Sequence, residues 1–193
     1  MVLGLTGGMG CGKSTAARIF EELGYRRVDS DMLVRDQLLT KPELVAALAE
    51  RYGPGILAPD GKLDRAQIAR RVFVSEPELR WLEAQLHPLL FGLWRELLAG
   101  KREERWVFEV PLLFEKGLEN WFDFTICVAT TSPLQLARLA ERGMSLALAE
   151  QRISKQSSLA LKIEYADFVL LNDGSQAFLR EQIAGLVDTL SVR

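Results

Sequence analysis

The sequence is poor in the residues that build metal and disulfide scaffolds: 193 residues contain two cysteines, Cys11 and Cys127, and one histidine, His87. Two thiols are too few for a disulfide framework or a four-thiolate zinc site. One imidazole excludes multi-histidine metal centres and leaves a single candidate for histidine base catalysis. There is no surplus of charge either. Lys and Arg number 24 against 26 Asp and Glu, a formal net charge of -2, which argues against nonspecific nucleic-acid binding. No uncharged apolar run is long enough to span a bilayer, and no charged stretch followed by an apolar one opens the chain. A cytoplasmic address without a membrane partner is therefore expected. What is present is ordinary: 48% hydrophobic and 26% charged residues, enough to bury a sizeable core.

Short apolar runs alternate with helical periodicity. Val2 to Thr6 reads as a buried strand ending in a glycine cluster, and Ala16, Ala17, Ile19, Phe20 and Leu23 mark a helix from Lys13 with Gly24 at its end. Tyr25–Val28, Trp106–Val110, Phe124–Ala129 and Asp167–Leu171 read as further strands. Between Met32 and about Arg105 nearly everything is helical. Thr40 to Glu43 and Ser75 to Glu78 have capping-box spacing, Asp64 caps a helix carrying Ile68, Ala69, Val72 and Phe73, and His87-Pro88 separates two helices. A helix begins at Ser132-Pro133, and a terminal amphipathic helix follows Asn172-Asp173-Gly174-Ser175. The expected fold class is α/β: a five-stranded parallel sheet flanked by helices, with its ligand beyond the carboxyl ends of the strands.

Gly7-Gly8-Met9-Gly10-Cys11-Gly12-Lys13-Ser14 satisfies G-x-x-x-x-G-K-[ST], with Thr15 next. Glycines let backbone N–H groups close on a polyphosphate, and the helix that starts near Lys13 points its positive end there. Lys13 would reach the β- and γ-phosphates of ATP and Ser14 would bind Mg²⁺. Cys11 fills a variable position as a small residue; a helix start can also lower a thiol pKa, so oxidation of Cys11 is a lesser expectation. The N-K-x-D and D-x-x-G strings of guanine-reading switches are absent from the chain. That favours a small kinase with a helical acceptor subdomain and a lid; a nucleotide-dependent switch or scaffold is the alternative of another class. Asp29-Ser30-Asp31, directly after the second strand, supplies carboxylates where an acceptor hydroxyl or Mg²⁺ could be met. Arg138 and Arg142, four apart, share a helix face and suit a triphosphate under a closing lid.

Residues 4–15 and then Val28-Asp29-Ser30-Asp31 resemble the opening of the dephospho-CoA kinase family. The resemblance continues through Leu63-Asp64-Arg65, Leu82-Glu83 with His87-Pro88, and Pro111-Leu112-Leu113-Phe114-Glu115. It then takes in Gln135-Leu136 with Arg138 and Arg142, Arg152-Ile153 with Gln156, and Ala166-Asp167 followed by Asn172 and Gly174. It implies a P-loop nucleotide-kinase-type fold and phosphorylation of the ribose 3′-hydroxyl of dephospho-coenzyme A by Mg·ATP, the final step of coenzyme A biosynthesis. Another small-molecule or nucleotide kinase is the nearest rival. By motif, Asp31 would be the general base or hydroxyl-orienting group, Lys13 and Arg142 would act on the transferring phosphoryl group, and Ser14, joined by Asp29, would hold Mg²⁺. Gly8, Met9, Gly10, Cys11, Gly12, Lys13, Ser14, Thr15, Arg138, Arg142, Asn172 and Gly174 would bind ATP. The acceptor would meet Asp31, Arg65, His87, Phe114 and Glu115. Segments 1–31 and 89–193 would form the nucleotide-binding core, 32–88 the acceptor subdomain and 132–158 the lid. Expected partners are the two small-molecule substrates, with no nucleic acid, and a monomer or small homo-oligomer. Ser30 stands where the family commonly has alanine, Cys11 where it has serine, and the stretch from Ser145 to Glu150 is less acidic than usual.

Overall fold

The computed structural model describes residues 1–72, 75–101 and 103–191. They divide into two compact units, 1–29 with 102–193 and 30–101. The first holds five parallel strands: β1 Val2–Gly7, β2 Arg26–Asp29, β3 Trp106–Glu109, β4 Phe124–Ala129 and β5 Phe168–Leu171, in the order β2-β3-β1-β4-β5. The expected sheet is thus present. β1 lies at its centre and is buried along its whole length, which is why it has no polar alternation. Helix α1, Lys13–Glu22, packs Ala16, Ala17, Ile19 and Phe20 into a core with Leu3, Leu5, Val107, Ile126 and Val128. Leu179, Ile183, Leu186, Val187 and Leu190 of the terminal helix, Gln176–Ser191, complete that core. At Gly4 a β-carbon would press on the Phe122 ring at 2.5 Å, so only glycine lets that ring approach the central strand.

The described residues of the second unit are mainly helical. After β2 come α2, Ser30–Leu33, a π-helical turn at Val34–Leu38, α3 at Pro42–Tyr52, α4 at Arg65–Val72 and α5 at Glu76–Leu98. Leu38, Leu44, Leu48, Ile56, Ile68, Val72, Leu90, Trp94 and Leu98 are its buried apolar residues among those described. Asp64 caps α4 as expected, its Oδ1 accepting from the N–H groups of Ala66 and Gln67. Phe73 lies outside the described residues.

Three local expectations are corrected. Pro88 does not separate two helices, because α5 runs through it. Proline removes one bond, to the Ala84 carbonyl, but both residues are solvent-exposed and the buried Leu90, Trp94 and Leu98 hold the helix beyond. The second unit runs to Lys101. Thr40 does not cap α3: Lys41 stands at the cap, and the Thr40 hydroxyl donates back to the carbonyls of Asp36 and Gln37. Nor does Ser75 make a side-chain cap to α5. Glu78 instead accepts from Arg51 at 2.7 and 2.9 Å and from the Tyr52 hydroxyl at 2.7 Å.

In the first unit α6 spans Ser132–Glu141, α7 Leu146–Ile153 and α8 Leu159–Tyr165, ahead of the terminal helix α9. α8 was not anticipated; its cap is Ser158, whose Oγ accepts from the Leu161 N–H at 3.2 Å. No helix among the described residues is long and apolar enough to cross a membrane.

Candidate nucleotide and acceptor site

The glycine loop joins β1 to α1 at the carboxyl edge of the sheet. Gly10 and Gly12 have φ of +78° and +94°, the left-handed region that favours glycine. A β-carbon on Gly12 would also run into the Asn172 amide. Lys13 folds its Nζ back to 3.3 and 3.2 Å from the carbonyls of Gly7 and Gly8. Its ammonium therefore lies within the loop.

Segments distant in sequence pin this loop. The Asn172 amide donates to the Cys11 carbonyl at 2.8 Å, while the Asn172 carbonyl accepts from Arg138 Nη2 at 2.9 Å and from the Thr130 hydroxyl. Arg138 Nη1 is 3.5 Å from the Gly10 carbonyl. Gln135 donates to the Met9 carbonyl at 2.8 Å, and Gln156 accepts from the Met9 N–H at 3.2 Å. Asn172 is thus a buried tie whose side-chain amide is engaged by protein. Gly174 follows in the turn before α9, and Thr15 is half-buried in α1. Arg142 is exposed just past the end of α6. The Cys11 thiol is fully buried and burial pushes it up against the lowering effect of Lys13, which removes the ground for expecting oxidation there.

Beside the loop lies a carboxylate that the sequence motifs did not single out. Glu109 ends β3, is buried, and accepts a 2.7 Å hydrogen bond from the Ser14 hydroxyl. Its other oxygen is 3.4 Å from Arg27 Nη2, which is 3.9 Å from Asp29. The signal was available: an acid closing the otherwise apolar strand Trp106-Val107-Phe108 needs a partner or a ligand. A hydroxyl and carboxylates form an all-oxygen donor set of the kind Mg²⁺ takes, so Ser14, Glu109 and Asp29 fit that ion.

Phe114 and Glu115 follow β3 in a turn. Phe114 stacks edge-on against Tyr165 at 5.8 Å. Glu115 is bound on both oxygens: Lys162 Nζ lies 2.8 Å from Oε1, which also accepts from the Ser157 N–H at 3.0 Å, and 3.1 Å from Oε2. Lys162 is fully buried and donates to the Pro111 carbonyl at 2.6 Å.

In the helical unit Asp31 is exposed in the first turn of α2. Arg65, exposed at the start of α4, lines a cavity of about 250 Å³ with Val34, Leu39, Ile68, Ala69, Val72, Leu82 and Leu86. Its positive charge helps to lower the Asp36 carboxyl, for which the adjacent Arg35 is the main cause. His87 follows Leu86 on α5, half-buried, its ring 5.6 Å from Phe91.

Comparison with known proteins agrees with these features. The family model described as dephospho-CoA kinase matches residues 1–177. A dephospho-CoA kinase of Streptococcus thermophilus is 36% identical, over 99% of this chain and 98% of its own. One from Thermosynechococcus vestitus is 39% identical over 94% and 90%. The solved structure of a dephospho-CoA kinase from Campylobacter jejuni is similar with a TM-score of 0.72 at 26% identity, covering 98% of this chain and 96% of that one.

Proposed function

The chain belongs to the dephospho-CoA kinase family, and from that premise we propose that its own residues perform the transfer as follows. The γ-phosphoryl group of ATP passes in line to the ribose 3′-hydroxyl of dephospho-coenzyme A, giving coenzyme A and ADP. Lys13, within the glycine loop, offsets charge on the transferring group, and the N–H groups of 8–15 cradle the phosphates. Ser14, Glu109 and Asp29 would hold Mg²⁺, which when bound neutralises phosphate charge. Arg138 and Arg142 act from the 132–158 lid, whose closure excludes water. Asn172 holds the loop to β5, and Gly174 leaves the backbone of that turn open to the adenine.

Asp31 takes or orients the proton of the acceptor hydroxyl. The apolar cavity of the helical unit suits the pantetheine arm, with Arg65 at its margin for the pyrophosphate and His87 beside it. Phe114 meets the acceptor from its turn, and Glu115 serves by holding that turn in place. Both substrates are soluble metabolites, which fits a cytoplasmic address. The observation that carries the assignment is the glycine loop in its left-handed conformation, within a chain matched almost throughout by one kinase family.

The test is Mg²⁺-dependent ADP release from ATP, with and without dephospho-coenzyme A, beside a panel of nucleoside monophosphates. Release confined to dephospho-coenzyme A, with 3′-phosphorylated product, is expected. Release with another acceptor keeps the kinase and removes this acceptor. Binding of ATP without acceptor-stimulated release favours a switch or scaffold.

A further inference from the structure

We infer that Arg27 is a positioning residue for metal–nucleotide binding: set against the carboxylates of Glu109 and Asp29, it holds Glu109 on the Ser14 hydroxyl in the orientation that Mg²⁺·nucleotide requires. This rests on the use of Mg²⁺·ATP proposed above.

Asp29 and Glu109 are register partners at the carboxyl ends of adjacent parallel strands. Neighbouring strands lie about 4.8 Å apart, so two like charges on one face repel. Arg27 is two residues before Asp29 and therefore on the same face of β2. Its Nη2 approaches Glu109 Oε2 at 3.4 Å and Asp29 Oδ2 at 3.9 Å. Glu109 is thereby shared, with Oε1 on Ser14 and Oε2 on Arg27. Without the guanidinium, repulsion from Asp29 would turn the Glu109 carboxylate off Ser14.

The arrangement is not one that stability alone would favour. Glu109 is 6% exposed, and a buried ion pair gains little over an apolar pair of the same size. Arg27 Nε is itself buried with no hydrogen-bond partner among the described residues, so the guanidinium sits here with one donor unsatisfied. A geometry held at that cost, beside the hydroxyl that opens α1, points to an outer partner that orients a metal ligand.

Calorimetric titration with ADP, with and without Mg²⁺, tests this without reading turnover. In wild type, Mg²⁺ tightens ADP binding. In Arg27→Met the Mg²⁺-free affinity is unchanged and the gain from Mg²⁺ falls roughly tenfold; Arg27→Lys recovers most of it. In a Glu109→Gln background, adding Arg27→Met changes nothing further. A full Mg²⁺ gain in Arg27→Met overturns the inference, as does an equal loss with and without Mg²⁺ or a wild type indifferent to Mg²⁺. Should Arg27→Met fail to fold, Glu109→Gln is compared with the double variant, where the buried charge has gone with its partner. Equal gains there support the inference and a further loss overturns it. Failure of dephospho-coenzyme A to stimulate ADP release would remove the acceptor assignment and leave this titration standing.

Discussion

Ser30 lies between two aspartates with its hydroxyl buried and without a hydrogen-bond partner among the described residues. A buried unsatisfied hydroxyl is destabilising, so Ser30→Ala should raise stability by about 1 kcal/mol. Urea denaturation reads this; a loss of stability would mean that the hydroxyl has a partner in solution. Its neighbour Asp31 is exposed, so Asp31→Asn should leave ATP affinity intact while lowering turnover by about 100-fold or more. Near-normal turnover would remove Asp31 from its role. At this scale the sequence was informative where chemistry dictates spacing. Gly12, Lys13 and Ser14 follow from the needs of a phosphate loop, and the structure adds that Gly12 must also clear the Asn172 amide. The pairing of Glu109 with Arg27 was not legible, since it depends on β2 lying beside β3, a neighbour relation that no local pattern encodes.

Among the elements, α8 is the one that sequence periodicity missed, because its most buried residue is a lysine. Lys162 joins this helix to the turn after β3 through Pro111 and Glu115. Replacing it with methionine strands a largely buried carboxylate and a carbonyl, and should cost about 3–5 kcal/mol. Chemical denaturation of Lys162→Met, with Lys162→Met/Glu115→Gln beside it, checks this: the double variant recovers part of the loss if the ion pair is its source. α5 departs from expectation for the opposite reason. Pro88 is a local stop signal, overridden by apolar residues up to ten positions beyond it that only packing reveals. Strands β1 and β4 were readable almost to the residue, since each is a short apolar run closed by polar or glycine-rich chain.

For the molecule as a whole, buried thiols set an alkaline limit. Burial pushes the Cys127 thiol up to about 12, and the Cys11 thiol and Tyr25 phenol are raised for the same reason. The folded chain keeps protons that the unfolded chain loses, so these groups contribute stability below pH 9 that declines as pH rises toward 12. Thermal or urea unfolding across that window should show a fall that is shallower in Cys127→Ala, by up to about 1.4 kcal/mol per pH unit. Identical slopes would mean that the thiol is hydrated. The class of fold and the order of its elements were legible because a parallel sheet must alternate apolar strands with helices. The strand order was not, being settled by long-range pairing.

The sheet ends at β5, where a side chain imitates backbone. Gln182 of α9 donates to the Leu171 carbonyl at 2.8 Å and accepts from the Leu171 N–H at 2.9 Å. The last rung of the ladder is thus occupied by an amide that belongs to the same chain and carries no chain onward. An incoming strand would have to break two bonds before it could pair at Leu171, so this end of the β5 edge is closed to strand addition.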